Sequence, residues 1–554
     1  MKGLFSWLEN RTGIGAITKE ALFERVPGGA RWRYVWGSTL TFAIMVQFIT
    51  GVFLWMAYSP SASTAWESVY YIQNELPFGW ILRGIHHWTA QIMVVLLVLH
   101  LVQVVIDSAY RAPREFNFWF GVIMLFITLA TSLTGYLLPW DQKGFWATKV
   151  ATNLAGVVPL IGDDLQRVVI GGADYGHHTL TRFFALHAGV LPAALIALIG
   201  VHIYLFRRHG ITEAKPATRV GALYYWYLLA VGSAGLAVAA YLFRDSNPSW
   251  VLWVPSLLAA GVIVRIVFLH LRGKNDNSAR RPKRDGMFWP DQIFRDAIVC
   301  FAVLGAVLFF VFWKGTELTS PADPSQPYNA ARPDWYFMSL FLMLKFELFQ
   351  GEFGLVLGAI IVPGILSSML FMMPLIGLKK VGHWVNVVLL YVLIGGFVVL
   401  TVMAFKKDAS DPAFIADVNK AHEQAERVNE LIEFNDGIPP EGALSLLYSD
   451  PLTQGPRLFA TNCASCHAYG YDDGGNALDG TNKKLSDKQS APNLKGVGSR
   501  EWISKVLTVE HYGSDEFFGN TNFKEGKMLE FLVDTELEEE DVTGLAAALS
   551  SEAK

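Results

Sequence analysis

The sequence predicts an all-α polytopic membrane protein, with about nine transmembrane helices and a small all-α domain at its C-terminal end. Three observations carry this. Of 554 residues, 52% are hydrophobic and 17% charged, and the mean hydropathy of +0.32 excludes a wholly soluble protein. Nine stretches are long and apolar enough to span a bilayer. After Phe405 the chain turns charged, and it then carries Cys463-Ala-Ser-Cys466-His467, the spacing for covalent attachment of a c-type haem.

The apolar stretches lie near 34–57, 79–106, 115–138, 181–206, 222–243, 249–271, 294–315, 353–376 and 384–405. Residues 406–450 read as a linker with one helical run, and 451–554 as the soluble domain. The loops at 111–115, 207–219, 272–284 and 378–380 are basic, whereas the first loop on the other side has no Lys or Arg. Basic loops stay in the cytoplasm, so the N-terminus is expected inside and the haem motif outside a bacterial inner membrane. The first twenty residues have no apolar core with a cleavage site and read as a mature cytoplasmic start. The net charge of −4 gives no sign of a nucleic-acid partner. Two of three cysteines belong to the haem motif, which leaves Cys300 alone and no disulfide framework.

Intramembrane histidines come next. His86 and His100 are fourteen residues apart in the second stretch, and His187 and His202 fifteen apart in the fourth. At about 100° per residue those steps return within about 40° and about 60° of the start, so each pair shares roughly one helix face. Gly37 and Gly51 in the first stretch, and Gly121 and Gly135 in the third, repeat the fourteen-residue step. Glycine lets a flat group approach the backbone, and neutral imidazole is a good axial ligand for haem iron. The expected fold is a four-helix bundle with two stacked b-type haems, ligated by His86 with His187 near the outer face and His100 with His202 near the inner face. His87 competes with His86, and the fourteen-residue register favours His86.

"RGIHHWTAQ", "SLTGYLLPWDQKGFWATK" and "TLTRFFALHAGVLP" resemble the cytochrome b core of cytochrome bc and b/f complexes. The resemblance covers about 20–212 and 285–405. It implies a dihaem bundle over 1–212 and a three-helix quinol-site region over 285–405; the inserted 213–284 departs from the family, with an extra pair of apolar segments where the family has a short connection. The fifteen-residue spacing and "PWDQ" are closer to the photosynthetic type. Val35 stands where those relatives attach an extra haem through cysteine, so no covalent haem is expected there.

"ARPDWYF" resembles the family's Pro-Glu-Trp-Tyr signature, with Asp in place of Glu. The resemblance makes Pro333, Asp334, Trp335 and Tyr336 the quinol-oxidation residues, with Asp334 positioned to accept a proton. Phe145 and Trp146 resemble further lining residues, and the Asp form leans toward a menaquinone-type substrate. Arg295 and Asp296 resemble an inner quinone-reduction pair, with an interfacial ion pair as the other reading. His209 is a second inner candidate. Arg83, Arg114 and Arg207 are candidates for haem propionates or for interfacial anchoring.

Around His467, the flanking sequences resemble a class I cytochrome c. Met528 is the only methionine after residue 404 and is the expected sixth ligand, with His511 as its rival.

These readings converge on the membrane core subunit of a quinol:cytochrome c oxidoreductase, with a cytochrome c domain fused to it. The resemblance implies two b-type haems, one c-type haem, quinol and quinone, and proton translocation by a Q cycle. It also implies a Rieske iron–sulfur partner, a homodimeric complex with further small subunits, surrounding lipid and a separate electron acceptor. The rival is a dihaem anchor passing electrons between a dehydrogenase and quinone, which has no need of Pro-Asp-Trp-Tyr.

Overall fold

The computed structural model describes residues 2–212 and 285–552, apart from 473, 482, 487, 488 and 536. Seven helices are long and apolar enough to cross a membrane: α1 (Trp32–Trp55), α2 (Gly79–Ile106), α3 (Glu115–Tyr136), α4 (His177–His209), α5 (Phe288–Lys314), α6 (Gly351–Ile376) and α7 (Lys380–Ala409). They answer seven of the nine expected stretches. The other two, 222–243 and 249–271, lie outside the described residues. Several boundaries differ: α4 begins at His177, α5 at Phe288 and α7 at Lys380, each ahead of the expected 181, 294 and 384, and His177 and His178 form the exposed first turn of α4.

Length and composition explain why these segments are helices. A backbone in hydrocarbon must satisfy its own hydrogen bonds, and a helix does so within one segment. Their outer faces stay apolar, as Phe294, Phe301, Phe309 and Phe312 on α5 show. A helix apolar all round belongs in lipid or a large core.

α1 packs on α2, and α3 on α4. α5 lies against both α1 and α2, while α7 touches α2 and α6 touches α3. Small and branched side chains fill these seams, with Leu40 and Ala43 of α1 meeting Met93 and Leu96 of α2. A short antiparallel ribbon, β1 (Arg25–Val26) with β2 (Gly286–Met287), brings the start of α5 back beside the N-terminal segment. The Asp285 carboxylate accepts from the Gly28 amide at 3.1 Å and fixes that return.

The seven long helices fall in one compact unit, whereas Leu318–Ala330 belongs with the residues from Ala413 onward in a second. The expected linker is structured: α8 (Pro412–Phe434) and α9 (Ala443–Ser449) precede α10 (Pro451–Asn462). α11 (Arg500–Val506), α12 (Lys527–Thr535) and α13 (Glu539–Leu549) complete this unit. α10 crosses α13 where two glycines meet. A Cβ on Gly455 would lie 2.1 Å from the Gly544 carbonyl oxygen, so only glycine permits this approach. Phe459, Cys463, Ile503, Leu532 and Leu545 form the core around that crossing. The segment from 318 is held to this unit by Asp323, which accepts from the Tyr448 hydroxyl at 2.8 Å and faces Arg457 at 3.8 Å.

Candidate functional site

The four intramembrane histidines and the four register glycines meet one to one. A Cβ on Gly37 would lie 3.5 Å from His100 Cε1, and one on Gly51 3.3 Å from His86 Cε1. A Cβ on Gly121 would lie 3.6 Å from His202, and one on Gly135 only 2.5 Å from His187. Each imidazole thus rests edge-on against the bare backbone of the neighbouring helix.

The fifteen-residue interval in α4 has a local cause. Ala185–Val190 is a π-helical turn, which absorbs one extra residue. His187 and His202 therefore recover the register of a fourteen-residue pair, and each finds an acceptor on α3. His187 Nδ1 bonds the Thr131 carbonyl at 2.8 Å, and His202 Nδ1 the Asn117 carbonyl at 3.0 Å. A carbonyl can only accept, so both rings carry their proton on Nδ1 and leave Nε2 as a metal ligand. His86 Nδ1 pairs with Thr50 Oγ1 at 2.9 Å. His100 Nδ1 is buried with no hydrogen bond of good geometry among the described residues, Gln103 being its polar neighbour one turn along.

The His86 and His187 rings are 6.2 Å apart between centroids, at 73° to one another. That separation fits two metal–imidazole bonds of about 2 Å with the ring centres behind them. Protonated Nδ1, free Nε2 and glycine-cleared walls together suit a bis-histidine haem. His100 and His202 are electrostatic neighbours, each facing its own glycine with more room than His86 or His187 has.

A second cluster surrounds Asp334. The Tyr336 hydroxyl donates to Oδ2 at 2.7 Å, and Gln91 of α2 donates to Oδ1 at 3.3 Å. The Trp335 indole N–H donates to Gln91 Oε1 at 2.8 Å, which fixes the orientation of that amide. Burial, with Asp334 beside it, raises the Tyr336 phenol well above its ordinary value, so it stays a proton donor. Pro333, Asp334 and Phe337 line a small cavity opposite Ser132, Tyr136 and Ala147. The expected lining residues Phe145 and Trp146 instead join an aromatic cluster: Phe145 is buried edge-on to Trp140, Trp146 and Tyr175. From that helix it is Ala147 that reaches the cavity.

At the other end of the bundle, Asp296 is buried and accepts from Ser38 Oγ and from Gln292 Nε2, each at 2.8 Å. Arg295 points elsewhere, donating to the Asp291 carbonyl and lying 5.9 Å over Trp32. Adjacent helical residues diverge by about 100°, so the two form neither an ion pair nor a joint site here. Arg114 donates to the His209 carbonyl at 2.9 Å, and Arg207 pairs with Glu24 at 3.1 Å. Arg83 donates to Gln73 Oε1 at 2.8 Å and to the Glu317 carbonyl at 2.6 Å.

In the second unit, Cys463 is buried in the core, and the His467 amide donates to the Cys463 carbonyl at 2.9 Å. His467 Nδ1 bonds the Pro492 carbonyl at 2.8 Å, so this ring too offers Nε2. Met528 packs against the core that holds Cys463. His511 donates from Nδ1 to Thr508 Oγ1 at 2.9 Å, since that hydroxyl is itself donated to the Lys505 carbonyl at 2.7 Å.

Sequence reasoning missed Thr50, Gln91, Tyr136 and Ala147. Gln91 closes the quoted run "RGIHHWTAQ", five residues beyond His86, and Tyr136 and Ala147 lie within "SLTGYLLPWDQKGFWATK", so membership of a quoted run was the available signal for these three.

Comparison with known proteins relates both parts of the chain to known families. The family described as cytochrome b/b6/petB matches residues 24–210, and the family cytochrome c matches 452–551. The menaquinol:cytochrome c reductase cytochrome b subunit of Bacillus subtilis (strain 168) is 40% identical over 217 residues, 38% of this chain and 97% of its own length. Cytochrome b6 of Synechococcus elongatus is 36% identical over 212 residues, 38% of this chain and 99% of its own length. A solved chain titled "Hyperthermophilic respiratory Complex III" aligns over 72% of this chain and 98% of its own, at 22% identity and a TM-score of 0.48. Because relatives of cytochrome b are matched over nearly their whole length, the chain belongs to the cytochrome b/b6 family, and it carries a cytochrome c domain at its C-terminus.

Proposed function

We propose that this chain is the membrane core subunit of a quinol:cytochrome c oxidoreductase that oxidises quinol beside Asp334. The observation that carries the reading is Asp334 itself, tied by Tyr336 and Gln91 and bordering a cavity at the end of α3 nearest Gly135. The Bacillus relative is named for menaquinol, which supports a menaquinol-class substrate.

His86 with His187, and His100 with His202, would hold two b-type haems, and Cys463, Cys466 and His467 one c-type haem. When bound, these groups supply one-electron carriers, two within the bundle and one at the high-potential end. The protein residues manage the protons. Oxidation of a quinol to a quinone releases two electrons and two protons, and Asp334 Oδ1 takes one proton from the substrate hydroxyl. Tyr336 and Gln91 hold the carboxylate toward the cavity, and Arg332 and Tyr136 hold the loop that carries it. Asp296, buried with Ser38 and Gln292, is the group to return a proton to quinone at the opposite end. The two electrons would part: one would cross the bundle by way of the b-type haems to quinone beside Asp296, and the other would leave by way of a Rieske iron–sulfur partner toward the fused cytochrome c domain, in a homodimeric complex with the N-terminus cytoplasmic and the cytochrome c domain outside.

Asp334→Asn tests the proposal. Quinol-dependent reduction of cytochrome c is expected to fall at least about 100-fold, the scale of general-base catalysis, with full haem content. A variant with unimpaired turnover overturns quinol oxidation at Asp334 and leaves the dihaem anchor as the better reading.

A further inference from the structure

We propose that Thr50 is a positioning residue for the His86/His187 haem centre, fixing the His86 tautomer and lowering the reduction potential of the iron that His86 ligates. The inference rests on the dihaem reading above. Its basis is a difference among the four imidazoles. His187 and His202 give their Nδ1 protons to backbone carbonyls, whereas His86 meets a side chain, Thr50 Oγ1, at 2.9 Å.

A hydroxyl has one proton to give. Thr50 Oγ1 donates to the Val46 carbonyl at 2.7 Å, one turn back in α1, with the Gln47 carbonyl at 3.3 Å as the alternative. Either way the proton is committed to the helix, and a lone pair is turned to His86. The ring must then carry its proton on Nδ1 and its lone pair on Nε2. Thr50 is 7% exposed, so water does not compete for this bond. The next residue, Gly51, clears the Cε1 edge of the same ring. Thr50 and Gly51 thus cradle His86 together, one by a hydrogen bond and one by space.

The chemical consequence follows from charge. An acceptor on Nδ1–H makes the imidazole more basic. A more basic axial ligand stabilises ferric iron more than ferrous iron, so the potential falls. The reaction gauged is the gain of one electron by the iron, with no bond made or broken.

The test is a mediated redox titration of the purified holo-complex, with the b-type absorbance resolved into its components. Thr50→Val keeps the shape and removes the acceptor, while Thr50→Ser keeps the acceptor. In Thr50→Val the ferrous-to-ferric ratio of one b-type component is expected to rise roughly tenfold at fixed potential, the scale of such outer partners, or 59 mV for a one-electron couple. The other b-type component and the c-type component stay in place, and Thr50→Ser titrates as the wild type. An unchanged Thr50→Val, a joint shift of both b-type components, or a Thr50→Ser shift as large as that of Thr50→Val overturns the proposal. Where Thr50→Val loses that haem, Thr50→Ala takes its place in the comparison. Loss from both with Thr50→Ser intact supports the positioning role, and loss from all three overturns it. A wild-type protein without two b-type components would instead sink the dihaem reading itself.

Discussion

Arg332 and Asp408 are joined as a fork: Arg332 Nε donates to Oδ2 and Nη2 to Oδ1, each at 2.9 Å. Both side chains are largely buried, at 13% and 11% exposure. The pair ties the residue two before Asp334 to the last turn of α7. Tyr136 adds a second tie, its hydroxyl donating to the Arg332 carbonyl at 2.9 Å. The loop that presents Asp334 is thus held from both α3 and α7.

Breaking this pair should cost more than removing it. Arg332→Gln takes both charge-assisted bonds of the fork from the buried Asp408 carboxylate and leaves Lys345 as a neighbouring cation, an effect of about 3–5 kcal/mol. Arg332→Leu combined with Asp408→Leu should be milder. Thermal inactivation of the purified complex checks the order, and equal losses in the single and double variants would contradict it.

The register glycines should not be equivalent. A methyl group on Gly135 would meet His187 at 2.5 Å, whereas one on Gly121 would meet His202 at an ordinary 3.6 Å. Gly135→Ala is expected to displace His187 and lose one b-type haem, and Gly121→Ala to keep both. Reduced-minus-oxidised spectra per unit protein measure this directly, and equal haem content in the two variants would refute the geometric argument.

The choice of sixth ligand in the cytochrome c domain has a spectroscopic answer. Met528 packs against the core around Cys463, whereas His511 is already held by Thr508. Met528→Ala should abolish the far-red methionine–iron band of the oxidised c-type haem and lower its potential. His511→Ala should leave both unchanged, and the reverse result would transfer the role to His511.

Acid should destabilise the second unit through Asp450. Burial pushes its carboxyl up, but bonds from Arg427 and Thr453 outweigh this and hold it below the ordinary range. With a depressed folded-state pKa, the stabilisation is complete above the ordinary carboxylate value of about 3.9. It is lost as pH falls through the lower folded-state value. Asp450→Asn should therefore be less stable at neutral pH and show a flatter acid limb when unfolding is followed by the c-type haem absorbance. Identical acid limbs would rule Asp450 out.

Much of the fold and part of the site were legible in the chain because they depend on local spacing. Apolar length marks a spanning helix, since hydrocarbon leaves a backbone few other ways to bond. The fourteen-residue steps of His86/His100, Gly37/Gly51 and Gly121/Gly135 belong to the helix itself, and they led to the pairing of His86 with His187. Cys463, Cys466 and His467 needed only their own spacing.

Only the tertiary structure decided the rest, because it depends on groups far apart in sequence or on small local departures. One residue absorbed in the π-turn at Ala185–Val190 makes the fifteen-residue histidine interval work, and hydropathy carries no trace of it. Asp334 meets Gln91 and Arg332 meets Asp408 across 243 and 76 residues, distances over which no periodicity reports. Arg295 and Asp296 are neighbours in sequence, yet the helical turn of about 100° between them sends one toward Trp32 and buries the other on Ser38.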